Sequence, residues 1–332
     1  MADSRAGTVR AALLTAHGSA PQLTDRSAPA RPEGHCRVRV TAAPVSPLDL
    51  LCASGTSYFG PPDLPYVPGV QGVGVVEEGD RLPPGTRVWF STDAGMRPGD
   101  GSLTELAAVP EIDTVPLPPG VDDALAAALG LSSVAAWMAL TSRGGLRAGE
   151  RVLVLGAGGV VGQVAVQAAV ALGASAVIAA ARGVDARERA REHGAAATVD
   201  LSTTDVDVLS TRIREACDGP VDLVIDPVCG AAATAALQVL GDRGRLVNLG
   251  SAGGGTATFA SAALRSGSHS ILGYTNSSLT PTTRADALTS VLRLAADGRC
   301  DVQLQTGPLD DVAGAWQRAA EASGGRVVVL PT

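Results

Sequence analysis

Residues 151–167 read RVLVLGAGGVVGQVAVQ, and this stretch decides the fold. An apolar run, VLVL at 152–155, leads into a turn in which Gly156, Gly158, Gly159 and Gly162 fall within seven residues, and a small-residue helix follows. Glycines at 156–159 let the backbone turn tightly and come close to an anion. Gly162 lets the helix pack against the strand, and the helix start aims free N–H groups at the same point. The six-residue fingerprint is Ala157-Gly158-Gly159-Val160-Val161-Gly162, with alanine where the commonest form has its first glycine. A second β-like run, SAVIAAA at 175–181, completes the βαβ setting that holds a dinucleotide pyrophosphate. Ala157, Gly158, Gly159, Val160 and Val161 are therefore the expected phosphate contacts.

The alternation continues outward. From 151 to about 274 the runs VLVL, SAVIAAA, ATVDL, VDLVID, GRLVNLG and SILGY are separated by helical segments, which predicts a parallel sheet covered on both faces. Upstream, residues 1–122 are rich in proline, glycine and valine, with short alternating runs such as CRVRVTAAPV at 36–45 and VQGVGVVEEGD at 70–80. These read as strands joined by turns, forming a compact, mainly β domain with barrel-like character. Helices are predicted over 122–140, 284–296 and 309–322. The closing GGRVVVLP is a strand with no place in the alternating sheet, so the chain is expected to return to its first domain. The expected organisation is α/β: a first domain over 1–122, a doubly wound dinucleotide-binding domain over 123–274 and a returning segment over 275–332.

At 332 residues with 45% apolar content the chain can build two cores. A net charge of −7 with no acidic or basic tail disfavours nucleic acid or an anionic membrane as partner. All 26 basic residues are arginine, which excludes Schiff-base chemistry and a lysine general base. Five scattered cysteines without a C-x-x-C pair fit a reduced, cytoplasmic protein. No basic-then-apolar leader opens the chain, and the apolar stretches are read as broken by glycine or charge before membrane-spanning length, so no membrane partner is expected.

Several segments together carry a family resemblance. In chain order they are SPLDLLCASG from Ser46, LPYVPGVQGVGVV from Leu64, GSLTELAAV from Gly101, LRAGERVLVLGAGGVVGQVAVQ from Leu146, VDLVIDPVCG from Val221, GRLVNLGSAGG from Gly244, and LDDVAGAW followed by GGRVVVL at the end. With these the chain resembles the zinc-independent quinone oxidoreductase branch of the medium-chain dehydrogenase/reductases. The resemblance implies a GroES-like, mainly β catalytic domain, a Rossmann domain and a cleft between them where nicotinamide meets substrate. It also implies a homodimer joined through a Rossmann edge strand, with SHSILGY from Ser268 as that edge. Zinc-using relatives need a thiolate and a histidine in the first domain. Here the histidine place of the G-H-E motif is Val70, within Gly69-Val70-Gln71, and the structural-zinc lobe is reduced to the cysteine-free TDAGMRPGDG at 92–101. No metal is expected.

An acidic side chain ending the second strand, about twenty residues beyond the glycines, would accept from the ribose of NAD. Here that place reads Ala180-Ala181-Arg182-Gly183. A guanidinium binds the 2′-phosphate of NADPH that a carboxylate would repel, so NADPH is the expected cofactor, with Arg182 the leading ligand and Arg187 the second. Ala186 stands where the family often has lysine, and Asp185 lies too far along for a ribose acceptor. At the nicotinamide end the family's strand-end contacts carry over to Leu249, Gly250 and Ser251, and to Gly273 and Tyr274.

The reaction implied is hydride delivery to a quinone or an α,β-unsaturated carbonyl (enone), with positioning and stabilisation of an enolate-like oxygen supplying the rate. Ser46 and Tyr58 are the candidates to orient the carbonyl, and Asp49 is read as a helix cap. Three departures from the family pattern stand near the expected cleft: Ser46 for asparagine, Gln71 for glutamate and Ala135 for threonine. They keep two other readings open, an enoyl reductase on an acyl-thioester or polyketide intermediate and an NADPH-binding protein with a non-redox or sensory role.

Overall fold

The computed structural model describes residues 7–321 and 325–331. The chain divides into two compact units, one formed by 1–130 with 302–332 and the other by 131–301.

In the first unit β1 (Thr8–Leu13) and β2 (Gln22–Ser27) form an antiparallel pair. The long β3 (His35–Val45) leads into the short helix α1 (Pro47–Ala53), and β4 (Gln71–Glu78), β5 (Arg87–Ser91), β6 (Leu106–Pro110) and β7 (Thr114–Pro116) follow. The strand alternation read at 36–45 is a burial alternation over its first half, where Cys36, Val38 and Val40 are buried while Arg37 and Arg39 face outward, and from Ala42 to Val45 every residue is buried. The helix α2 (Asp123–Met138) breaks at Gly130, where φ is +31° and ψ −132°. A Cβ at Gly130 would overlap the Gln71 amide, so glycine is required there.

The second unit holds β8 (Arg151–Leu155), α3 (Val160–Ala171), β9 (Ala176–Ala181), α4 (Val184–Glu192), β10 (Ala197–Asp200), α5 (Val206–Ala216), β11 (Val221–Asp226), α6 (Gly230–Leu237), β12 (Leu240–Asn248), α7 (Ser261–Ser266), β13 (Ser270–Gly273) and α8 (Pro281–Ala296). Its six strands run in the order β10-β9-β8-β11-β12-β13, all pairs parallel. The order reverses between β8 and β11, the switch point at which open parallel sheets place ligands. Val152, Leu153, Val154 and Leu155 are all fully buried, as a central strand covered on both faces must be. β13 ends the sheet, at the edge expected for SHSILGY.

The chain then re-enters the first unit through β14 (Leu304–Pro308), α9 (Val312–Ala320) and β15 (Arg326–Leu330). β15 lies parallel to β14 and antiparallel to β3, completing a seven-stranded sheet. The crossing points differ from expectation. The return begins at 302 rather than 275, and the first boundary falls inside α2 rather than before it. The apolar spacing of α8, with Ala287, Leu288, Val291 and Leu292 buried, shows that one face is covered but not by which unit.

The expectation that every apolar stretch stops short of spanning length also fails. The helical run Asp123–Arg143 has the length and apolarity of a membrane-crossing helix, although 67% of its most apolar window is buried inside the protein, as in a core helix. Ala322, the last residue of the helix expected over 309–322, and Gly324, the first of the expected closing strand, lie outside the described residues.

Candidate functional site

The turn after β8 is built by close approach. Gly156 has φ +67°, and a Cβ on it would lie 2.7 Å from Val228 Cγ2. A Cβ on Gly162 would overlap the Gly156 carbonyl, which is why the helix can start so near the strand. Gly159 occupies the N-cap of α3 without a side-chain cap, and no acceptor among the described residues takes the N–H groups of Val160, Val161 or Gly162. These orphan donors and the helix dipole together favour an anion at this point. The turn is held from behind: buried Gln163 donates Nε2 to Gly158 O at 2.9 Å. Ala157 departs from the expected role, since its side chain is buried and its N–H donates to Ala180 O at 2.9 Å. It anchors the turn to β9 rather than offering a donor.

Gly158 approaches α4, where a Cβ would meet Ala186 Cβ at 3.1 Å, so the turn and the end of β9 are neighbours. Arg182 is exposed there, and its guanidinium has no ion pair among the described residues. Arg187 has a different duty. Its Nη1 donates to Ala181 O at 3.0 Å, Arg182 O at 2.8 Å and Asp200 Oδ1 at 3.2 Å, clamping the bend between β9 and α4. The Ser202 hydroxyl, together with Arg187 and Arg212, holds the Asp200 carboxyl below its ordinary range.

At the ends of β11, β12 and β13 the structure supplies two groups that the sequence reading missed. Asp226 is fully buried and accepts at Oδ1 from Val228 N (3.0 Å) and Cys229 N (2.7 Å). Its Oδ2 accepts from Asn248 Nδ2 at 2.8 Å, and the same amide reaches Gly250 O at 3.0 Å. Leu249 and Gly250 thus sit half-exposed on a polar pair, with Ser251 exposed beyond them. Gly273 and Tyr274 are less available than expected. Gly273 O accepts from Arg143 Nε at 2.8 Å, Tyr274 N donates to Asn248 O at 2.9 Å, and the Tyr274 hydroxyl donates to Asn276 Oδ1 at 2.7 Å. Burial raises the Tyr274 phenol well above the usual tyrosine range, so it stays protonated. An aspartate closing an apolar strand immediately before proline, as in VDLVIDP, was the available signal for Asp226.

Ser46 and Tyr58 belong to the first unit. Ser46 is buried at the N-cap of α1, where its hydroxyl donates to Asp49 Oδ2 at 2.5 Å and the same carboxylate oxygen accepts from Ser46 N at 2.7 Å. Asp49 is the reciprocal partner of this capping box and also accepts at Oδ1 from Val70 N at 2.8 Å, the structural role expected of it. Tyr58 is 77% exposed, its ring centroid 4.2 Å from that of Phe59. Gln71 is buried and accepts from Trp89 Nε1 at 3.3 Å. The donor set does not fit zinc: Val70 offers no ligand atom, Gln71 only a neutral amide, and among the described residues no three His, Cys, Asp or Glu side chains cluster. A cavity of about 280 Å³ in the same unit is lined by residues that include Arg26, His35, Asp100 and Thr104 and none of Ser46, Asp49, Tyr58, Val70 or Gln71.

Two family models match in succession, the alcohol dehydrogenase GroES-like domain over residues 32–119 and the zinc-binding dehydrogenase domain over residues 160–295. The chain is 34% identical over 223 residues to a quinone oxidoreductase of Pseudomonas aeruginosa, 66% of this chain and 65% of that one. It is 32% identical over 254 residues to the synaptic vesicle membrane protein VAT-1 homolog of Homo sapiens, 74% of this chain and 61% of that protein. A third match is 33% identical over 312 residues to a phenolphthiocerol/phthiocerol polyketide synthase of Mycobacterium tuberculosis, 90% of this chain but 14% of that one. The chain thus spans about three fifths of the length of the first curated relatives, and far less of the synthase.

Among solved structures, a mycobacterial quinone oxidoreductase superposes with a TM-score of 0.86 at 25% identity, covering 97% of this chain and 100% of that one, and a mycobacterial protein complexed with NADPH superposes with a TM-score of 0.84 at 25% identity over the same shares. The quinone oxidoreductase of Thermus thermophilus, likewise solved with NADPH, superposes with a TM-score of 0.77 at 28% identity over 97% and 100% of the two chains. A GroES-like domain joined to a Rossmann-type sheet, with these relatives along both, establishes that the chain belongs to the medium-chain dehydrogenase/reductase superfamily, in its quinone oxidoreductase branch.

Proposed function

We propose that the chain is an NADPH-dependent, metal-independent reductase that passes hydride to a quinone or to the β-carbon of an enone. The observation that carries this reading is the pairing of an uncapped α3 N-terminus with Arg182, whose guanidinium has no ion pair among the described residues at the end of β9. The relatives that bear quinone oxidoreductase names, one of them solved with NADPH, support it, as does a mycobacterial structural neighbour complexed with NADPH.

The residues present fit such a dinucleotide. Gly158, Gly159 and the N–H groups of Val160 and Val161 would take the pyrophosphate, Arg182 the 2′-phosphate, and Leu249, Gly250 and Ser251 the nicotinamide end. The chemistry NADPH supplies when bound is hydride transfer from the nicotinamide ring. The protein's part is to fix that ring and to meet charge developing on the acceptor oxygen. Tyr58 keeps its hydroxyl outside any hydrogen bond among the described residues and is the candidate to orient the carbonyl and give it a proton. Ser46 is not assigned that step, because its proton is donated to Asp49. A homodimer along the outer edge of β13, where Ile271 is 40% exposed, accompanies this reading.

A second reading, an enoyl reductase acting on a carrier-bound acyl thioester, is favoured by one observation: the match to the polyketide synthase runs over 90% of the chain. Loss of NADPH absorbance, followed with a panel of quinones, enones and enoyl thioesters in the presence of a chelator, tests both. Turnover of quinones or simple enones supports the first reading, and turnover of thioesters alone supports the second. Binding of NADPH without turnover of any acceptor replaces both with a non-redox or sensory role.

A further inference from the structure

We propose that Asp226 and Asn248 are positioning residues that set the nicotinamide end of the site by holding two strand-end loops in one arrangement; the inference rests on the NADPH reading above. The pair lies at the carboxyl ends of adjacent strands β11 and β12, where an open parallel sheet presents its ligand face.

The two side chains divide their hydrogen bonds between the loops after β11 and β12. Asp226 Oδ1 takes the N–H groups of Val228 and Cys229, which fixes the loop that follows β11. Cys229 is held there at φ 61° and ψ −156°, a backbone region that side chains other than glycine's rarely enter. Asp226 Oδ2 takes one Asn248 N–H, and the Asn248 amide also donates to Gly250 O, which fixes the loop after β12. The Asn248 backbone carbonyl accepts from Tyr274 N and continues the parallel β12–β13 ladder, a contact that does not depend on the side-chain pair. The loops then rest on one another. Gly253 N donates to Val228 O at 2.7 Å, and a Cβ on Gly250 would lie 2.7 Å from Pro227 O. Val228 in turn abuts Gly156 in the phosphate turn.

A structural role alone does not explain this pair. Asp226 and Asn248 close strands whose neighbouring residues, Val224, Ile225, Leu246 and Val247, are at most 1% exposed, and an apolar pair would suit such a core without the desolvation that a buried carboxylate brings. An apolar pair could not count donors and acceptors, whereas the carboxylate–amide pair has one donor for Gly250 and acceptors only for the other loop. In Asp226→Asn the new amide must keep its oxygen on the two backbone N–H groups, which turns its own NH₂ towards the NH₂ of Asn248. If Asn248 rotates to relieve that clash, it presents oxygen to the Gly250 carbonyl. One of the two loops loosens either way, although the side-chain volume hardly changes.

The test compares NADPH with 2′,5′-ADP, which carries the adenosine half and no nicotinamide, in wild type, Asp226→Asn and Asn248→Ala. Calorimetry gives both affinities, and the fluorescence of bound reduced nicotinamide reports how the ring is held. Each variant is expected to bind NADPH about tenfold more weakly, the worth of roughly one hydrogen bond in a dry site, and to lose fluorescence enhancement. Its affinity for 2′,5′-ADP, bound at the far end, stays within about twofold of wild type. Asp226→Asn is isosteric and keeps both backbone acceptances, so it tests the proposal even where Asn248→Ala does not fold. Equal losses for the two ligands, or no loss for NADPH, would reduce the pair to a structural element while leaving the NADPH reading intact. Wild-type protein that binds neither ligand overturns that reading and this proposal with it.

Discussion

The same Arg187 nitrogen that donates to Asp200 at 3.2 Å also donates to the carbonyls of Ala181 and Arg182, so Arg187 shapes the bend on which Arg182 stands. Two arginines five residues apart therefore have separable effects. Arg182→Ala removes a charge-assisted contact to the 2′-phosphate and weakens NADPH roughly 10- to 100-fold while leaving NADH nearly unchanged. Arg187→Ala frees the bend, costs about 1–2 kcal/mol of stability and lowers affinity for both nucleotides alike. Titrating the two variants with both reduced nucleotides checks the division, and a phosphate-selective loss on Arg187→Ala would reverse it.

Ser46 and Tyr58 separate in the same way. Ser46→Ala removes a buried cap and leaves Asp49 Oδ2 with only the Ser46 N–H, so about 1–2 kcal/mol of stability is lost and the thermal midpoint falls by a few degrees. Its kcat stays near wild type. Tyr58→Phe, at an exposed ring, leaves the midpoint alone and lowers kcat with the best acceptor. Steady-state rates beside melting curves decide the matter, and a large kcat loss in Ser46→Ala would return Ser46 to the chemistry.

The Rossmann-type sheet could be read from the sequence because its strands are short apolar runs and its turn needs glycine at Gly156 and Gly162 on steric grounds alone. The return of the last strand was legible for a similar reason: RVVVL had no partner in an already complete alternation. The unit to which α8 belongs was not legible, because a 3.6-residue period identifies a covered face and not its cover. The partner of a guanidinium is equally silent. Arg187 and Arg182 look alike until the fold brings Asp200, thirteen residues on, beside one of them. Asp226 and Asn248 escaped because a lone carboxylate at a strand end is most often solvated, and only the adjoining strands show that this one is dry.

Gly130 is the clearest glycine requirement outside the phosphate turn. In Gly130→Ala a methyl group must occupy the space of the Gln71 amide, which Trp89 Nε1 also holds, at a φ of +31° that alanine rarely adopts. Strain and steric overlap together cost at least about 2 kcal/mol. Gln71→Ala clears the methyl's path, so the double variant recovers part of the loss. Thermal denaturation of the two single variants and the double variant checks this. Strict additivity would mean that the overlap is absent in solution.

Arg245 and Glu150 carry an acid-sensitive part of the second unit's stability. Arg245 donates to both Glu150 oxygens, at 2.9 and 2.6 Å, and to the carbonyls of Gly144, Gly145 and Asp222. Partial burial pushes the Glu150 carboxyl up, but the Arg245 side chain and the Arg147 backbone N–H outweigh it and hold the group below its ordinary range. A carboxylate depressed in the folded state binds fewer protons there than when unfolded. Its stabilisation is therefore complete above the unfolded value near 4.3 and is lost as pH falls through the folded value. Asp49 and Asp226 act in the opposite direction, since burial raises both and acidification relieves the cost of their charge. Comparing wild type with Glu150→Gln cancels those two. The variant is expected to be less stable by about 1–3 kcal/mol at neutral pH, with the gap narrowing as pH falls below the unfolded value and through the lower folded one. Denaturant midpoints across that range decide it, and a gap that stays constant with pH would show that the pair acts through packing and not through charge.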